Sequence, residues 1–395
     1  MNIFREKRWL IVVICVLFFF WINERMLATQ LVSLYTDQVG IGYQCGMVLM
    51  LIAFLYCAFN IKLLPSLKST ETKTFILLMV YINLISFVIA ALRSDMDHSM
   101  FLGLAPPFLY YLMFGLSQRN DIGNYTALAM TIVLVSLFVS FKTSLTMLAE
   151  LRQNSDGFEG GSAGYFILLM IPFVLCCKWK IIHYLAFLIG FAVILLSTKR
   201  GGVVGVVLMT IGYLYVNSVI DRGLHHKVNK PMKITLITVF LIGVAFLIME
   251  SHILNDVAVF EKFEETRGDG GSGRTSIWAE VLEMIFNSNI LNFFVGHGYG
   301  AVVLDSPYHL SAHNDFLETF YDYGFVGFSL LLAFISRIIL FARKLIKRKS
   351  IFAAPMAASI ILFLTISTIS HNIIYFANMS IFAVFWGYIA GNARK

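Results

Sequence analysis

The sequence predicts an all-α fold: a polytopic transmembrane helical bundle of about twelve spans with one large external loop containing short helices. Three observations predict it. The 395-residue chain is 58% hydrophobic and 15% aromatic but only 13% charged, whereas a soluble domain is about 25% charged. Apolar runs near the ~20-residue length that crosses a bilayer recur along almost the whole chain. A single segment, 252–322, interrupts that rhythm with a mostly polar stretch.

In order, the spans fall at 8–27, 44–64, 74–92, 101–117, 122–141, 163–177, 181–198, 203–220, 234–251, 323–342, 351–370 and 372–391. The first follows a basic start (Arg5, Lys7, Arg8). Asn23, Glu24 and Arg25 then stand where a signal peptide needs small residues for cleavage, so the segment is expected to stay as a span. Pro106, Pro107 and Pro172 lie inside spans, where neighbouring helices satisfy the freed carbonyls. The organisation expected is helices one to nine over 1–251, the loop over 252–322, and helices ten to twelve over 323–395.

Orientation follows from the basic residues. With the N-terminus in the cytoplasm, 20 of the 30 Lys and Arg fall in inside segments and 9 outside, with Arg337 in a span. The bias is clearest in the short loops, where the positive-inside rule applies, and it puts both termini in the cytoplasm. The net charge of +7 is thus explained by topology and points to no nucleic acid. The five cysteines lie in apolar runs without ligand spacing and read as small core or lipid-facing residues.

From His252 to Asp322 the external loop carries 11 acids against three bases. Long loops of this kind are often functional. "EETRGDGGSG" (264–273) is a glycine-rich turn containing Arg267. "RTSIWAEVLEMIF" (274–286) has the pattern of an amphipathic helix, with Ile277, Val281, Met284 and Ile285 on one side. "GHGYG" (296–300) is a turn. Ser306 and Pro307 then predict a helix start that carries the chain to a stop near Gly324.

Three polar sites share the outer face. "STKRGG" (197–202) sets Lys199 and Arg200 between two apolar runs, against the positive-inside bias. The pair reads either as a site for an anionic headgroup, a phosphate or pyrophosphate, or as a tight turn with bases snorkelling to the interface. Arg274 opens a helix whose N–H groups already favour anions; it serves there or pairs with Glu280 or Glu283. "SAHNDFLETFYDYG" (311–324) brings His313, a proton-transfer group near neutrality, with Asn314, Asp315 and Glu318 to orient it or to contact sugar hydroxyls; a solvated interfacial face is the plainer reading. His309 and His313, four apart, would share one helical face, with His297 nearby. That spacing permits zinc, but no H-E-x-x-H or comparable motif accompanies it, and no metal or other cofactor is expected. His371 and Asn372 fall at the last external turn and could border the same site.

Taken together, Ser197–Gly201, Gly273–Arg274 with Trp278, Gly296–Gly298, and His313–Asn314 with Leu317, Glu318, Gly324 and Gly327 resemble the bacterial O-antigen polymerase and O-antigen ligase superfamily. The resemblance covers roughly Phe187 to Leu345. It implies a metal-independent glycosyltransferase of the inner membrane, with its active site in the large periplasmic loop. The donor it implies is a glycan on a polyprenyl pyrophosphate, undecaprenyl pyrophosphate. It further implies that Arg200 and Arg274 bind the pyrophosphate and that His313 assists the acceptor hydroxyl. Lys199, Arg267, Trp278, His309, Asn314 and Glu318 are the expected substrate contacts. A chain-length regulator and a flippase are the protein partners implied. The expected activity is polymerase, joining the growing chain to another lipid-linked repeat. Ligase, with lipid A–core as acceptor, is the alternative, and a polysaccharide transporter or flippase is the alternative from another class.

Overall fold

The computed structural model describes residues 8–30, 40–60, 70–93, 102–119, 123–152, 163–196, 200–222, 274–307, 309–373 and 375–393. The described residues are helical and contain no strand. Eight helices precede the loop: α1 (Arg8–Gln30), α2 (Ile41–Phe59), α3 (Thr70–Arg93), α4 (Ala105–Arg119), α5 (Gly123–Arg152), α6 (Ala163–Val174), α7 (Lys180–Leu196) and α8 (Arg200–Arg222). Three short ones belong to the loop: α9 (Arg274–Asn287), α10 (Ile290–Val295) and α11 (Ala301–Asp305). The chain closes with α12 (Asp315–Lys347), α13 (Ala353–Ile369) and α14 (Phe376–Asn392). The span expected at 234–251 lies outside the described residues; each of the other eleven coincides with a helix.

α1, α2, α3, α5 and α12 are long and apolar enough to cross a membrane, and α6, α7, α8 and α13 contain shorter apolar stretches. Apolar side chains cover both the interior and much of the outside: Val12, Leu51, Leu77, Ile132, Leu188 and Ile211 are all exposed. In water such a surface would be costly, whereas hydrocarbon accepts it.

An aromatic knot fixes the helices nearest the site. Phe334 of α12 packs edge-on to Phe363 of α13 (6.4 Å) and lies 5.3 Å from Trp386 of α14. Phe363 and Phe382 each reach Trp386, at 5.4 and 5.0 Å. The indole Nε1 donates to Ser359 Oγ at 2.9 Å, so the one polar atom inside the knot is paired. α8 approaches α13 through small residues. A Cβ on Gly201 would strike Ile369, one on Gly205 would meet Leu362, and one on Gly212 would strike Ile361. Close helix contact through small residues is the usual packing in a membrane, where no hydrophobic force drives helices together. The first glycine after Arg200 therefore admits a helix.

The loop has a small core of its own. Val281 and Ile285 of α9 pack with Ala301, Val302, Ala312 and Tyr321. The amphipathic helix expected at 274–286 is present, with Val281 and Ile285 buried as its pattern predicts. The helix start expected at Ser306–Pro307 is not. α11 ends at Asp305, the described residues 306–307 and 309–314 lie outside any helix, and α12 begins at Asp315. Asn314 is the true cap: its Oδ1 accepts from Phe316 N (3.0 Å) and Leu317 N (3.3 Å). His309 and His313 consequently lie outside any helix, each with positive φ (49° and 50°), and do not share a helical face.

α12 is broken at Gly324, whose φ of 64° and ψ of −173° belong to a region open essentially to glycine alone. Gly296 has the same character (φ 96°, ψ 179°). The two backbones cross in contact: a Cβ on Gly324 would strike Phe294 O, and one on Gly296 would strike Asp322 O. Around the break, Tyr321 O accepts from His297 N (3.2 Å) and Asp322 O from Gly298 N (2.8 Å). Tyr81 of α3 donates its hydroxyl to Val295 O (3.1 Å) and Tyr323 O (3.2 Å). The break thus pins the loop to the first turns of α12 and to α3. Beyond it, residues 325–347 suffice to span a ~30 Å hydrocarbon core at ~1.5 Å per residue.

Candidate active site

Three buried acids line the first turns of α12: Asp315, Glu318 and Asp322, each no more than 2% exposed. A buried carboxylate needs donors, and each acid has a different set. Asp322 holds the "GHGYG" turn, accepting from Gly300 N (2.9 Å) and Val302 N (3.2 Å) at the start of α11. Asp315 holds the turn between α13 and α14, its Oδ2 accepting from Asn372 N (2.7 Å) and Ile373 N (3.2 Å). Glu318 accepts from His313 N at 3.2 Å through Oε1 and lies 3.3 Å from His371 Nδ1 through Oε2. The acids that suggested a solvated face are therefore internal fasteners, clamping the loop to the last turn of the bundle.

That turn is where the polar sites meet. Arg274, first residue of α9, donates Nη1 to Ile369 O at 3.0 Å, and no pairing with Glu280 or Glu283 is needed to hold it. Tyr165, near the start of α6, shares a hydrogen bond with Ser370 and lies in the field of Arg274. Gly201, next to Arg200 at the start of α8, lies against both Tyr165 and Ile369: its Cβ would stand 2.7 Å from the Tyr165 hydroxyl. The backbone at Arg200–Gly201 and the guanidinium of Arg274 thus flank one point, the end of α13. Two residues further, the His371 ring lies 4.8 Å from that of His313. Arg200, Arg274 and His313 stand at neighbouring positions around residues 369–373, on one end of the bundle.

The other expected contacts take various places. Trp278 spends its Nε1–H on Ala312 O (2.7 Å), bracing the backbone just before His313. His309 is exposed and bonds Val303 O through Nδ1 (3.2 Å). His297 stacks on Tyr321 at 4.1 Å and also engages Tyr321 O and Ser288, so it serves the loop's own structure. Among the described residues no group of three His, Cys, Asp or Glu has metal-holding geometry. Lys199 and Arg267 lie outside the described residues. Sequence reasoning did not find Tyr165, Ser311 or the clamp at Asp315. A Tyr opening an apolar helix and a Ser in a loop carry no local signal, whereas Asp315 was read as a residue to orient His313 or to contact sugar hydroxyls.

The fold and the site define a multi-pass membrane protein whose polar chemistry gathers at one end of its apolar helices. Residues 185–332, from α7 to the middle of α12, match the family model described as O-antigen ligase. The match supports, for this stretch alone, the resemblance to the O-antigen polymerase and ligase superfamily. It includes Arg200, Arg274, His313 and Glu318 and stops short of His371. No curated protein matches the chain.

Proposed function

We propose that the chain is a surface-polysaccharide polymerase. It transfers a growing glycan from undecaprenyl pyrophosphate to the non-reducing end of a lipid-linked repeat unit. The work is done at the periplasmic face of a bacterial inner membrane, with both termini in the cytoplasm and the catalytic parts drawn from loop 252–322 and from Lys199 and Arg200. The observation that supports this most is the approach of Arg274, the Arg200 backbone and His313 to the same short turn, 369–373.

The chemistry suits the residues. An acceptor sugar hydroxyl attacks the anomeric carbon, the carbon–oxygen bond to the pyrophosphate breaks, and its electron pair leaves on the pyrophosphate. Arg200 and Arg274 neutralise that developing charge, assisted by Lys199 and Arg267; guanidiniums can do this without a divalent ion. His313 assists the acceptor hydroxyl, a task for a group that titrates near neutrality. Asn314 and Glu318 set the backbone from which His313 projects. The polyprenyl tail stays in the bilayer, which is why polar residues cluster where apolar helices end.

The description of the matching family favours a second reading, in which the same parts pass the finished chain to lipid A–core. A flippase fits less well. Transporters place ionisable groups near the membrane midplane, whereas the buried acids among the described residues, Asp315, Glu318 and Asp322, all lie before the Gly324 break. Deleting the gene and resolving the cell-surface polysaccharide on a gel separates these readings. A polymerase leaves core bearing a single repeat and no long ladder. Accumulated lipid-linked polymer with bare core identifies a ligase, and an unchanged ladder removes both.

A further inference from the structure

The turn between α13 and α14 holds a constellation in which two members, His371 and Ser311, have no part in the scheme above. His371 is 5% exposed, and its ring is engaged on four sides. Nε2 lies 3.0 Å from Ser311 Oγ. Nδ1 lies 3.3 Å from Glu318 Oε2, off the line of a straight hydrogen bond. Tyr375 stacks on the ring at 5.4 Å and 14°, and His313 is tilted against it at 4.8 Å. Hydroxyl, imidazole and carboxylate in that order form the arrangement that draws a proton from an oxygen. Burial, with Asp322 and Asp315 nearby, pushes the Glu318 carboxyl up to about 9; in its ionised form it favours a proton on Nδ1 and leaves the Nε2 lone pair facing the hydroxyl. Ser311 Oγ then donates inward and offers its lone pairs outward. Ser311 is half-buried, and the chain beside it is exposed at His309 and Leu310, so this hydroxyl is the outward end of the chain of groups.

We propose that Ser311, His371 and Glu318 form a proton relay at the acceptor end of the site. The proposal rests on the glycosyl-transfer reading and deepens it. As the acceptor oxygen bonds to the anomeric carbon, its proton passes to Ser311 Oγ, and the Ser311 proton passes to His371 Nε2. The carbon–oxygen bond to the pyrophosphate breaks with its electrons leaving on the pyrophosphate, so one proton ends on His371 and one negative charge on the leaving group. Glu318 holds the imidazolium. His313, against the His371 ring, orients the acceptor hydroxyl, while Ser311 touches it. His371 and Glu318 act through Ser311. The other ionisable groups near His371 are Asp315 of α12, committed to the backbone of Asn372 and Ile373, and Tyr375; Arg274 of α9 reaches Ile369 O two residues away.

The test uses the purified full chain and the lipid-linked glycan extracted from cells lacking its gene. Ser311→Ala is expected to lower kcat about 100-fold while KM for the lipid donor stays within about twofold. It should also flatten the acid limb of the pH–rate profile, because the base titrating there is uncoupled from the acceptor. Ser311→Thr, which keeps the hydroxyl, restores most of the rate. His371→Gln and Glu318→Gln should lower kcat in the same way. Where either buried replacement fails to fold, Ser311→Ala alone decides. Wild-type kcat and an unchanged acid limb in Ser311→Ala would overturn the relay and leave glycosyl transfer standing. A wild-type chain that consumes none of the extracted donor would overturn both.

Discussion

Asp315 shows how much one side chain can carry at this site. Its carboxylate is fully buried and accepts from the backbone of Asn372 and Ile373, the residues that follow His371. Removing it leaves buried N–H groups without an acceptor, at a cost of roughly 1–3 kcal/mol for each group left unsatisfied. Asp315→Ala should therefore unfold at lower temperature in detergent and transfer glycan slowly, because the turn bearing His371 loosens. Asp315→Asn keeps one acceptor oxygen and should lose less on both measures. A wild-type melting profile for Asp315→Ala would remove the clamp. The sequence marked Asp315 as an acid beside His313, to orient it, to contact sugar hydroxyls or to face solvent, and not as a clamp. Its partners lie 57 and 58 residues away, and no local pattern announces a contact of that range.

At the scale of elements, the break in α12 decides how the loop is seated. Gly324 combines a glycine-only conformation with backbone contact to Phe294. Gly324→Ala should cost on the order of 1–3 kcal/mol from strain alone, more with the clash, and be read as a lower melting temperature and reduced yield. Gly300, left-handed (φ 69°, ψ 13°) but with open space around its Cβ, is the control: Gly300→Asn should melt within a few degrees of the parent. Equal losses at both positions would show that crowding at 296 and 324 is unimportant. The spans themselves were legible, because a run of apolar residues leaves few alternatives once water is excluded. The start of α12 was not. Ser306–Pro307 has the local chemistry of a helix start, yet Asn314, followed by acids at Asp315 and Glu318, was the equivalent signal and the one that the structure uses. Two good starts nine residues or fewer apart are separated only by tertiary contacts, here Trp278 on Ala312 and Asp322 on the α11 backbone.

At the scale of the whole molecule, the bundle brings together positions far apart in sequence. Arg200, Arg274 and His313 were each readable as polar residues in the wrong place for a lipid-facing chain. Their approach to 369–373 was legible only through His371 and Asn372 as residues of the last external turn; the contacts themselves depend on the glycine face of α8 lying on α13 and on the aromatic knot that holds α13 beside α12. The same arrangement makes a topological prediction. Ser276→Cys, exposed on α9, should react with a membrane-impermeant thiol reagent added from outside, and Arg348→Cys, exposed just beyond α12, only after the membrane is opened. The reverse labelling would invert the molecule and put its polar end in the cytoplasm. The most direct single measurement is the polysaccharide ladder of the deletion strain complemented with His313→Ala or Arg274→Ala at wild-type expression. Glycosyl transfer at this site predicts that neither variant restores the long ladder, because one lacks the group that assists the acceptor and the other a guanidinium worth about 10²–10³ in rate. A full ladder from both variants would contradict it and place the chemistry of this protein elsewhere.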